Sequence, residues 1–462
     1  MRPLLTISSA ALALTLSGCK TWNSEEAPSP LVDAPIDWSG VSGSASVDDG
    51  WLETFQSAEL EGFVDEALQN SPSLFGSLSS LDAAYYTAQI SGASLYPRIT
   101  ADGSLRRNQS NMPTGSNVYS NSANASLGVS WEIDLWGRVR DGKKAAEYDY
   151  LASEAAYEAS RLSLAANVAR VWIQIVAAKQ QLDLAERTLE SYEENVEIIQ
   201  SRFEKGLSTA LDLQLIRSAA ATTRGSVAAN KDNVDELVRS LEILLGRYPA
   251  GALEVSSAMP SLSSDVPAGL PSELLERRPD ILQATARLDA ASLRQSQTHK
   301  NRFPALSFTG SFGRSSSELS DITDPDFNVW SIFGGLGTTL FNFGRLEAEQ
   351  DRATAQFAQA GHSYVSTVLG AFFEVESALT SNALIFERLE AQREAEKAST
   401  DAETISWERY QSGLADIVTV LEAQRRADNA RRDLISQESA YLLNRVNLHL
   451  ALGGDFESGT GE

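Results

Sequence analysis

The chain of 462 residues is poor in the side chains that most often perform catalysis or bind metals. It contains three histidines, His299, His362 and His449, and no two of them stand at the spacing of a metal-ligand pair. The sequence also lacks a nucleophile elbow of the form Gly-x-Ser-x-Gly. We therefore expect no enzyme activity and no bound metal.

The surroundings of Cys19, the single cysteine, predict a covalent modification. It follows a positively charged start and an apolar stretch, which are typical of a secretory signal peptide over residues 1–18. The preceding Leu-Ser-Gly completes a sequence similar to the bacterial lipobox, in which the cysteine thiol takes a lipid and becomes the first residue after cleavage. We expect a covalent lipid on Cys19 and no other cofactor. The alternative is an ordinary signal peptide that ends in a chance cysteine.

The composition restricts the possible partners and the way of crossing a membrane. The chain has 38 basic and 62 acidic residues, a net charge of −24, which makes nucleic acid an unexpected partner. With one cysteine it forms no internal disulfide. No run of eighteen apolar residues follows the signal peptide, so we expect any membrane crossing to be made by strands.

The second half of the sequence repeats the first half at an offset of 207 residues. Pro72 returns as Pro279, and Leu81-Asp82-Ala83-Ala84 returns as Leu288-Asp289-Ala290-Ala291. The offset holds without a gap from about residue 60 to about residue 253. Because this period is far longer than that of a solenoid repeat, we interpret the chain as a duplicated domain.

Each repeat contains two strand-like segments that alternate apolar and polar residues. In the first repeat Ile99, Ala101, Gly103 and Leu105 share one parity, and after a polar loop at 108–124 the segment from Leu127 to Leu135 does the same. The second repeat has the alternating segment 306–312 and a return near 332–341. A soluble sheet is the alternative. Four strands cannot close a barrel in lipid, so three chains would supply twelve.

A long helix follows each strand pair. Residues 143–205 contain neither Gly nor Pro, and a heptad seam runs from Val168 to Phe203. At 1.5 Å per residue the stretch 138–205 would extend about 100 Å. Gly206 and Gly413 end the two long helices at equivalent positions, and a second helix returns from each. Polar residues interrupt the second seam and predict either more contact with water or looser pairing of the helices; these are Asn382, Gln392, Glu396 and Ser406.

The sequence Glu276-Arg277-Arg278-Pro279-Asp280-Ile281, the lipobox and the two Gly-Leu helix ends together resemble the outer-membrane factor family, in its TolC-like and NodT-like lipoprotein branch. The resemblance implies a mainly α fold with transmembrane β-strands. A duplicated subunit would assemble as a trimer, with a twelve-stranded outer-membrane β-barrel continued by a long periplasmic α-helical barrel. We expect Arg277, Arg278 and Asp280 to serve the structure.

The expected organisation has six parts. A lipoprotein signal peptide at 1–18 and a lipidated tether at 19–56 precede the first repeat at 57–253, with its hairpin at 95–136 and long helices at 138–247. A linker at 254–266 leads to the second repeat at 267–453, with its hairpin at 302–343 and long helices at 345–452. A short tail at 454–462 ends the chain.

The resemblance implies a passive, gated exit duct in the outer membrane of a Gram-negative bacterium, in contact with outer-membrane lipid. A homotrimer would work with a periplasmic adaptor protein and an inner-membrane pump, of the RND type, to export small molecules. One alternative is a type I protein secretion channel. Another is a structural coiled-coil lipoprotein without a pore.

The resemblance also assigns roles to the helix ends. Adaptor docking falls on Gly206, Leu207, Ser208, Gly413, Leu414 and Ala415, although both glycines also serve to end helices. A periplasmic gate falls on Asp212, Tyr410, Asp416, Thr419 and Glu422, where acidic rings would attract cations. The alternative for these five is a solvated helix face. Ala415 replaces a basic residue of some members, so we expect closure by hydrogen bonds from Tyr410 and packing of Val418 or Leu421.

Overall fold

A computed structural model describes residues 38, 50–111, 117–262, 271 and 274–454. Cys19, the expected signal peptide and the end of the expected tail lie outside the described residues. The first repeat contains α1 (Ala58–Asn70), α2 (Pro72–Ala93), β1 (Arg98–Asn111), β2 (Asn117–Ile133), α3 (Arg138–Glu204) and α4 (Ala210–Leu244). The second contains a single helical turn (Leu274–Arg277), α5 (Pro279–Lys300), β3 (Ala305–Ser316), β4 (Asn328–Gly337), α6 (Arg345–Gln411) and α7 (Ile417–Ala451). The mainly helical fold with one small antiparallel sheet confirms the predicted fold class.

The two longest helices, α3 and α6, have the same length and equivalent ends. Each contains 67 residues, about 100 Å at the α-helical rise. Each begins after a glycine in the left-handed region, Gly137 at φ 78° and Gly344 at φ 80°. Such a glycine lets the chain turn sharply from strand to helix.

The predicted seam of α3 is largely buried in the structure. Val168, Ile175, Ala185 and Ile199 are fully buried, and α3 packs against α4 within its repeat and against α7 of the other. The expectation for the second seam was wrong in part, because Asn382 and Ser406 are buried. A buried polar side chain is tolerated where hydrogen bonds replace water, and Ser406 donates to the carbonyl of Glu403 at 2.7 Å. The half-buried Gln392 donates to the carbonyl of Ala430 at 3.0 Å, whereas Asn382 Oδ1 is buried without a hydrogen-bond partner among the described residues.

The four strands form one antiparallel sheet in the order β1-β2-β3-β4, so the β2–β3 pairing joins the two repeats. Ile99 lies opposite Val129, Val129 opposite Gly310, and Gly310 opposite Ile332. This register places the predicted apolar positions that lie within the strands on one face, and Leu135 lies beyond the end of β2. The face consists of Ile99, Ala101, Gly103 and Leu105 in β1, Leu127, Val129, Trp131 and Ile133 in β2, Leu306, Phe308, Gly310 and Phe312 in β3, and Trp330, Ile332, Gly334 and Leu336 in β4.

Several strand ends differ from the sequence expectation. Most of the expected loop at 108–124 is paired strand, with Gln109 opposite Tyr119, because backbone hydrogen bonds do not depend on side-chain polarity. β4 begins and ends about four residues before the expected segment 332–341. Its pairing with β3 fixes both ends, since Arg314 lies opposite Asn328 and Ala305 lies opposite Gly337.

Equivalent residues of the two repeats make equivalent contacts between elements. Gly246 at the end of α4 approaches the backbone of Asn70, and its equivalent Gly453 approaches that of Arg277. The side chains of Arg278 and Asp280 form an ion pair, and Arg278 also donates to the carbonyl of Ala451 at 2.8 Å. The Arg-Arg-Pro-Asp element therefore fastens the start of α5 to the end of α7.

The segment expected to be a tether is partly packed into the body. Trp51, Leu52 and Phe55 are buried beside α3, and Trp38 is buried against residues of the second repeat. Large apolar side chains in a polar segment were the signal for this anchoring. The end of the first repeat is also fixed, because Glu242 accepts hydrogen bonds from the backbone of residues 251–253 at 2.7 to 3.1 Å. At the start of the linker, the Ser256 N–H donates to Glu59 at 3.0 Å.

One helix in the described part of the chain, α6, is long and apolar enough over an 18-residue window to cross a membrane by length and composition alone. Of that window 44% is buried inside the subunit. Core helices of soluble proteins meet the same criterion, and α6 packs along α5 and α7.

Candidate functional site: the helical tips

The predicted docking residues lie at two helical turns of the same construction. At the end of α3, Gly206 has φ 75° and the Leu207 N–H donates to the carbonyl of Arg202 at 2.8 Å. At the end of α6, Gly413 has the same φ and the Leu414 N–H donates to the carbonyl of Arg409 at the same distance. This is the Schellman arrangement, in which a left-handed glycine ends a helix.

Both turns present apolar side chains to solvent. Leu207 is 65% exposed and Leu414 is 71% exposed. One turn further on, Leu211 and Val418 are exposed in the same way, again at equivalent positions. The sequence analysis assigned no role to Leu211, which lies in the first turn of α4.

A shared apolar cluster, here called the tip core, holds the two turns side by side. It contains Tyr192, Ile199, Leu213, Ile216 and Ala220 from the first repeat and Tyr410, Ile417 and Val420 from the second. Tyr410 is only 7% exposed. Its ring lies under the guanidinium of Arg202 at 5.1 Å and against the edge of Trp407 at 5.7 Å. The structure thus places the Tyr410 ring inside the subunit, and its role in a gate stays a prediction.

Asp212 completes a capping box at the start of α4. Its carboxylate accepts the Thr209 N–H at 2.8 Å and the Ser208 hydroxyl at 3.0 Å, while the Asp212 N–H donates to Thr209 Oγ1 at 3.2 Å. Burial raises the pKa of Asp212, but these hydrogen bonds outweigh burial and leave the pKa below its ordinary value. Asp416 acts to raise the same pKa, so the carboxylates of the two turns sense each other.

The other acidic gate candidates also have local partners. Asp416 caps α7 by accepting the Thr419 N–H at 2.8 Å and the Thr419 hydroxyl at 2.7 Å, which lower the pKa of Asp416. Glu422 pairs with Arg426 and Arg425 at 2.9 and 2.8 Å, and the hydrogen bonds from these two arginines lower its pKa. All three carboxylates therefore bear charge near neutral pH.

On the sheet side of the tip core, α3 contacts α7 through polar side chains that the sequence analysis did not identify. Thr188 donates to the buried carboxylate of Asp428 at 3.1 Å, and Gln424 donates to Ser191 at 3.3 Å. Burial raises the pKa of Asp428, with Thr188 and Arg431 acting against that rise. No sequence signal identified these contacts, because they join residues more than 200 positions apart.

The histidines do not form a common site. His449 is buried and stacks on Trp51 at 5.7 Å, and burial lowers the pKa of this imidazole to about 3. His362 lies exposed on α6. Within the described residues, the side chains form no group of three or more potential ligands that could hold a metal ion.

Comparison with known proteins shows that this chain is similar to one protein family along both repeats. The family profile described as outer membrane efflux protein matches residues 63–247 and 270–454, one match for each repeat. The antibiotic efflux pump outer membrane protein ArpC of Pseudomonas putida is 31% identical, over 99% of this chain and 96% of its own. Outer membrane protein OprJ of Pseudomonas aeruginosa is 32% identical, over 99% and 97%.

A solved structure agrees with these relatives. The Campylobacter jejuni CmeC outer membrane channel superposes with a TM-score of 0.86 at 25% identity, over 95% of both chains. The duplicated profile, the relatives and the shared fold confirm the resemblance seen in the sequence, and the chain belongs to the outer membrane efflux protein family.

Proposed function

We propose that three copies of this chain form a passive exit duct through the outer membrane and the periplasm. The observation that carries the proposal is the sheet, whose apolar face spans all four strands. Large side chains on that face are exposed in the single chain, among them Ile99, Leu105, Phe312, Trp330 and Ile332. A sheet face of exposed apolar side chains is typical of strands that contact lipid.

The strand edges support an assembly of several copies. Within the described residues, β1 and β4 each have one partner strand, so each leaves an edge of backbone donors and acceptors. Such an edge cannot remain unpaired inside a bilayer, where the cost of each unsatisfied group is several kcal/mol. Three subunits of four strands would close a barrel of about twelve, an allowed number.

The helices support a tunnel that continues the barrel. α3 and α6 extend about 100 Å from the sheet to the tips, and each pairs with a returning helix. The exposed Leu207, Leu211, Leu414 and Val418 provide an apolar rim for the helical hairpin of a periplasmic adaptor. An inner-membrane pump of the RND type would supply the energy.

Small molecules are the proposed cargo. Of the relatives above, ArpC is named for antibiotic efflux, and this chain matches it along nearly its whole length. Protein export through the same architecture is the second candidate. Transport rather than catalysis is the function of the family, and we propose that the chain catalyses no reaction.

A covalent lipid on Cys19 is proposed as a second attachment to the outer membrane. The proposal rests on the lipobox-like sequence, since Cys19 lies outside the described residues. Intact mass spectrometry of the purified protein tests it. A mature chain that begins at Cys19 and carries added acyl mass supports the lipid, and a chain cleaved elsewhere without that mass contradicts it.

The assembly is tested by the mass of the purified protein in detergent, measured by light scattering. Three chains per particle support the duct. A monomer would contradict it and favour a coiled-coil lipoprotein without a pore.

A further inference from the structure

Two aromatic side chains at the junction of sheet and helices are largely exposed in the single chain, although Phe343 contacts the ring of Phe341 at 4.8 Å. Phe343, between β4 and α6, is 93% exposed and has a left-handed backbone at φ 54°, a strained conformation for a residue other than glycine. Tyr96, between α2 and β1, is 72% exposed. Rings with this exposure are free to pack against another molecule.

The equivalent position in the other repeat shows what covers such a ring. Trp136 corresponds to Phe343 by the 207-residue offset, and it stacks on Phe303 at 5.2 Å with an interplanar angle of 26°. The Trp136 indole also donates to the carbonyl of Pro304 at 2.7 Å. The same offset carries Phe303 to Tyr96 and Pro304 to Pro97. Trp136 of the first repeat thus contacts Phe303 of the second repeat, and Tyr96 is the first-repeat equivalent of Phe303.

The repeat relation holds for contacts at this same junction. The Trp131 indole donates to the carbonyl of Leu95 at 3.0 Å, and the equivalent Thr338 hydroxyl donates to that of Arg302 at 3.4 Å. A contact from the first to the second repeat is made within one chain. Its equivalent, from the second repeat to a first repeat, requires the next chain in a closed ring.

The same offset, applied to the β2–β3 pairing, predicts a register for pairing between β4 and β1. β2 pairs with β3 so that Val129 lies opposite Gly310. Their equivalents are Leu336 in β4 and Gly103 in β1, the two edge strands. This register keeps the apolar face continuous across the junction, whereas a shift by one residue would place the polar side chains of one strand beside the apolar ones of the other.

We propose that β4 of one subunit pairs with β1 of the next in the register that sets Leu336 opposite Gly103, and that Phe343 stacks on Tyr96 of that neighbouring subunit. This inference rests on the proposed trimer and specifies its contacts. The Phe343–Tyr96 stack closes the periplasmic end of each junction between subunits, as Trp136 and Phe303 do within the chain.

The register is tested by paired cysteines in the full-length protein under oxidising conditions. Leu336→Cys with Gly103→Cys is expected to give chains linked in covalent trimers, because directly opposite strand residues lie within disulfide range. In the single chain no atom lies within 4 Å of a Cβ added at Gly103, so Gly103→Cys should leave the fold of the subunit intact. Each single variant is run beside the pair to account for the native Cys19.

Two further pairs serve as matched controls. Val129→Cys with Gly310→Cys should link within one chain, which shows that the chemistry works on this sheet. Leu336→Cys with Ile99→Cys lies four residues, or about 13 Å, out of register and should link poorly. If the protein is a trimer by mass but links through the Leu336–Ile99 pair instead of the Leu336–Gly103 pair, the proposed register is wrong. If the protein is a monomer by mass, the proposed function itself is wrong.

The aromatic contact is tested by the temperature at which the trimer dissociates in detergent. Phe343→Ala should lower that temperature by several degrees, and Phe343→Trp, which restores the ring of the first repeat, should recover it. Tyr96→Ala combined with Phe343→Ala should cost little more than either alone, since both remove one contact. Additive losses, or an unchanged temperature for Phe343→Ala, would show that the rings face lipid separately.

Discussion

At the scale of single residues, Asp212 combines a capping role with a charge at the proposed channel entrance. Asp212→Asn keeps a side-chain acceptor for the Thr209 N–H and removes the charge, whereas Asp212→Ala removes both. If three such carboxylates surround the entrance, both variants lower the preference for cations in single-channel recordings. Only the alanine variant should also destabilise the turn, by about 1 kcal/mol, the size typical of a lost helix cap.

Asp235→Asn is the matched control, because Asp235 is an exposed carboxylate on the same helix and away from the turn. It should leave ion selectivity unchanged. Unaltered selectivity in Asp212→Asn would reduce Asp212 to a capping residue and remove it from the gate.

His449 predicts a loss of stability in acid. The folded protein holds this imidazole neutral, with a pKa of about 3, whereas the unfolded chain protonates it near 6.5. Its contribution is therefore complete above pH 6.5 and is lost as the pH falls from there towards 3. His449→Phe, which can still stack on Trp51, should remove up to about 3 kcal/mol of the destabilisation between about pH 7.5 and pH 4.5, since each pH unit below 6.5 costs about 1.4 kcal/mol.

The measurement for His449 is the midpoint of thermal loss of helical circular dichroism at the two pH values. The exposed His362 provides the control, and His362→Gln should behave like the unaltered protein. An equal acid shift in His449→Phe would mean that other groups carry the pH dependence.

At the scale of elements, the turn glycines should be sensitive to substitution for a backbone reason alone. Gly206 has φ 75°, and the described residues leave open space at its missing Cβ, so Gly206→Ala should cost about 1 kcal/mol through backbone strain without a clash. Gly225 lies exposed inside α4, and Gly225→Ala should stabilise the helix by about 0.5 to 1 kcal/mol. Protease cleavage at the tips should rise for the first and fall or stay constant for the second. Equal cleavage of the two would contradict the role given to the turn.

The sequence could predict the elements that are governed by local rules. The length of α3 and its end at Gly206 follow from the stretch 143–205 free of Gly and Pro, and the apolar face of the sheet follows from alternation. Contacts across the repeats could not be read in this way. Thr188 and Asp428 meet because two helices from different repeats pack together, and the polar ends of β1 and β2 pair because their register is fixed by residues further along.

Sequence reasoning reached the tips but not their full environment. Gly206 and Gly413 were identified from the repeat as helix ends, which the structure confirms, and docking at the exposed Leu207 and Leu414 stays a prediction. The burial of Tyr410 under Arg202 was not predictable, because the tip core is assembled from four helices. Asp212, Asp416 and Glu422 were chosen by resemblance, and their local hydrogen bonds became visible only in three dimensions.

At the scale of the whole molecule, the subunit consists of the sheet at one end, the long helices, and the tips at the other end. The sheet is suited to lipid, the helices span a distance of about 100 Å, and the tips expose apolar side chains away from the sheet. The net charge of −24 in a single chain predicts an acidic assembly. We expect cations to be favoured over anions within it, most strongly at low ionic strength.

The central claim is that this chain forms a duct, and single-channel recording of the purified protein in planar bilayers tests it most directly. We expect a small, cation-favouring conductance that increases when the tip contacts are loosened, for example in Tyr410→Ala. Bilayers that stay silent with the trimeric protein, before and after that substitution, would contradict the duct.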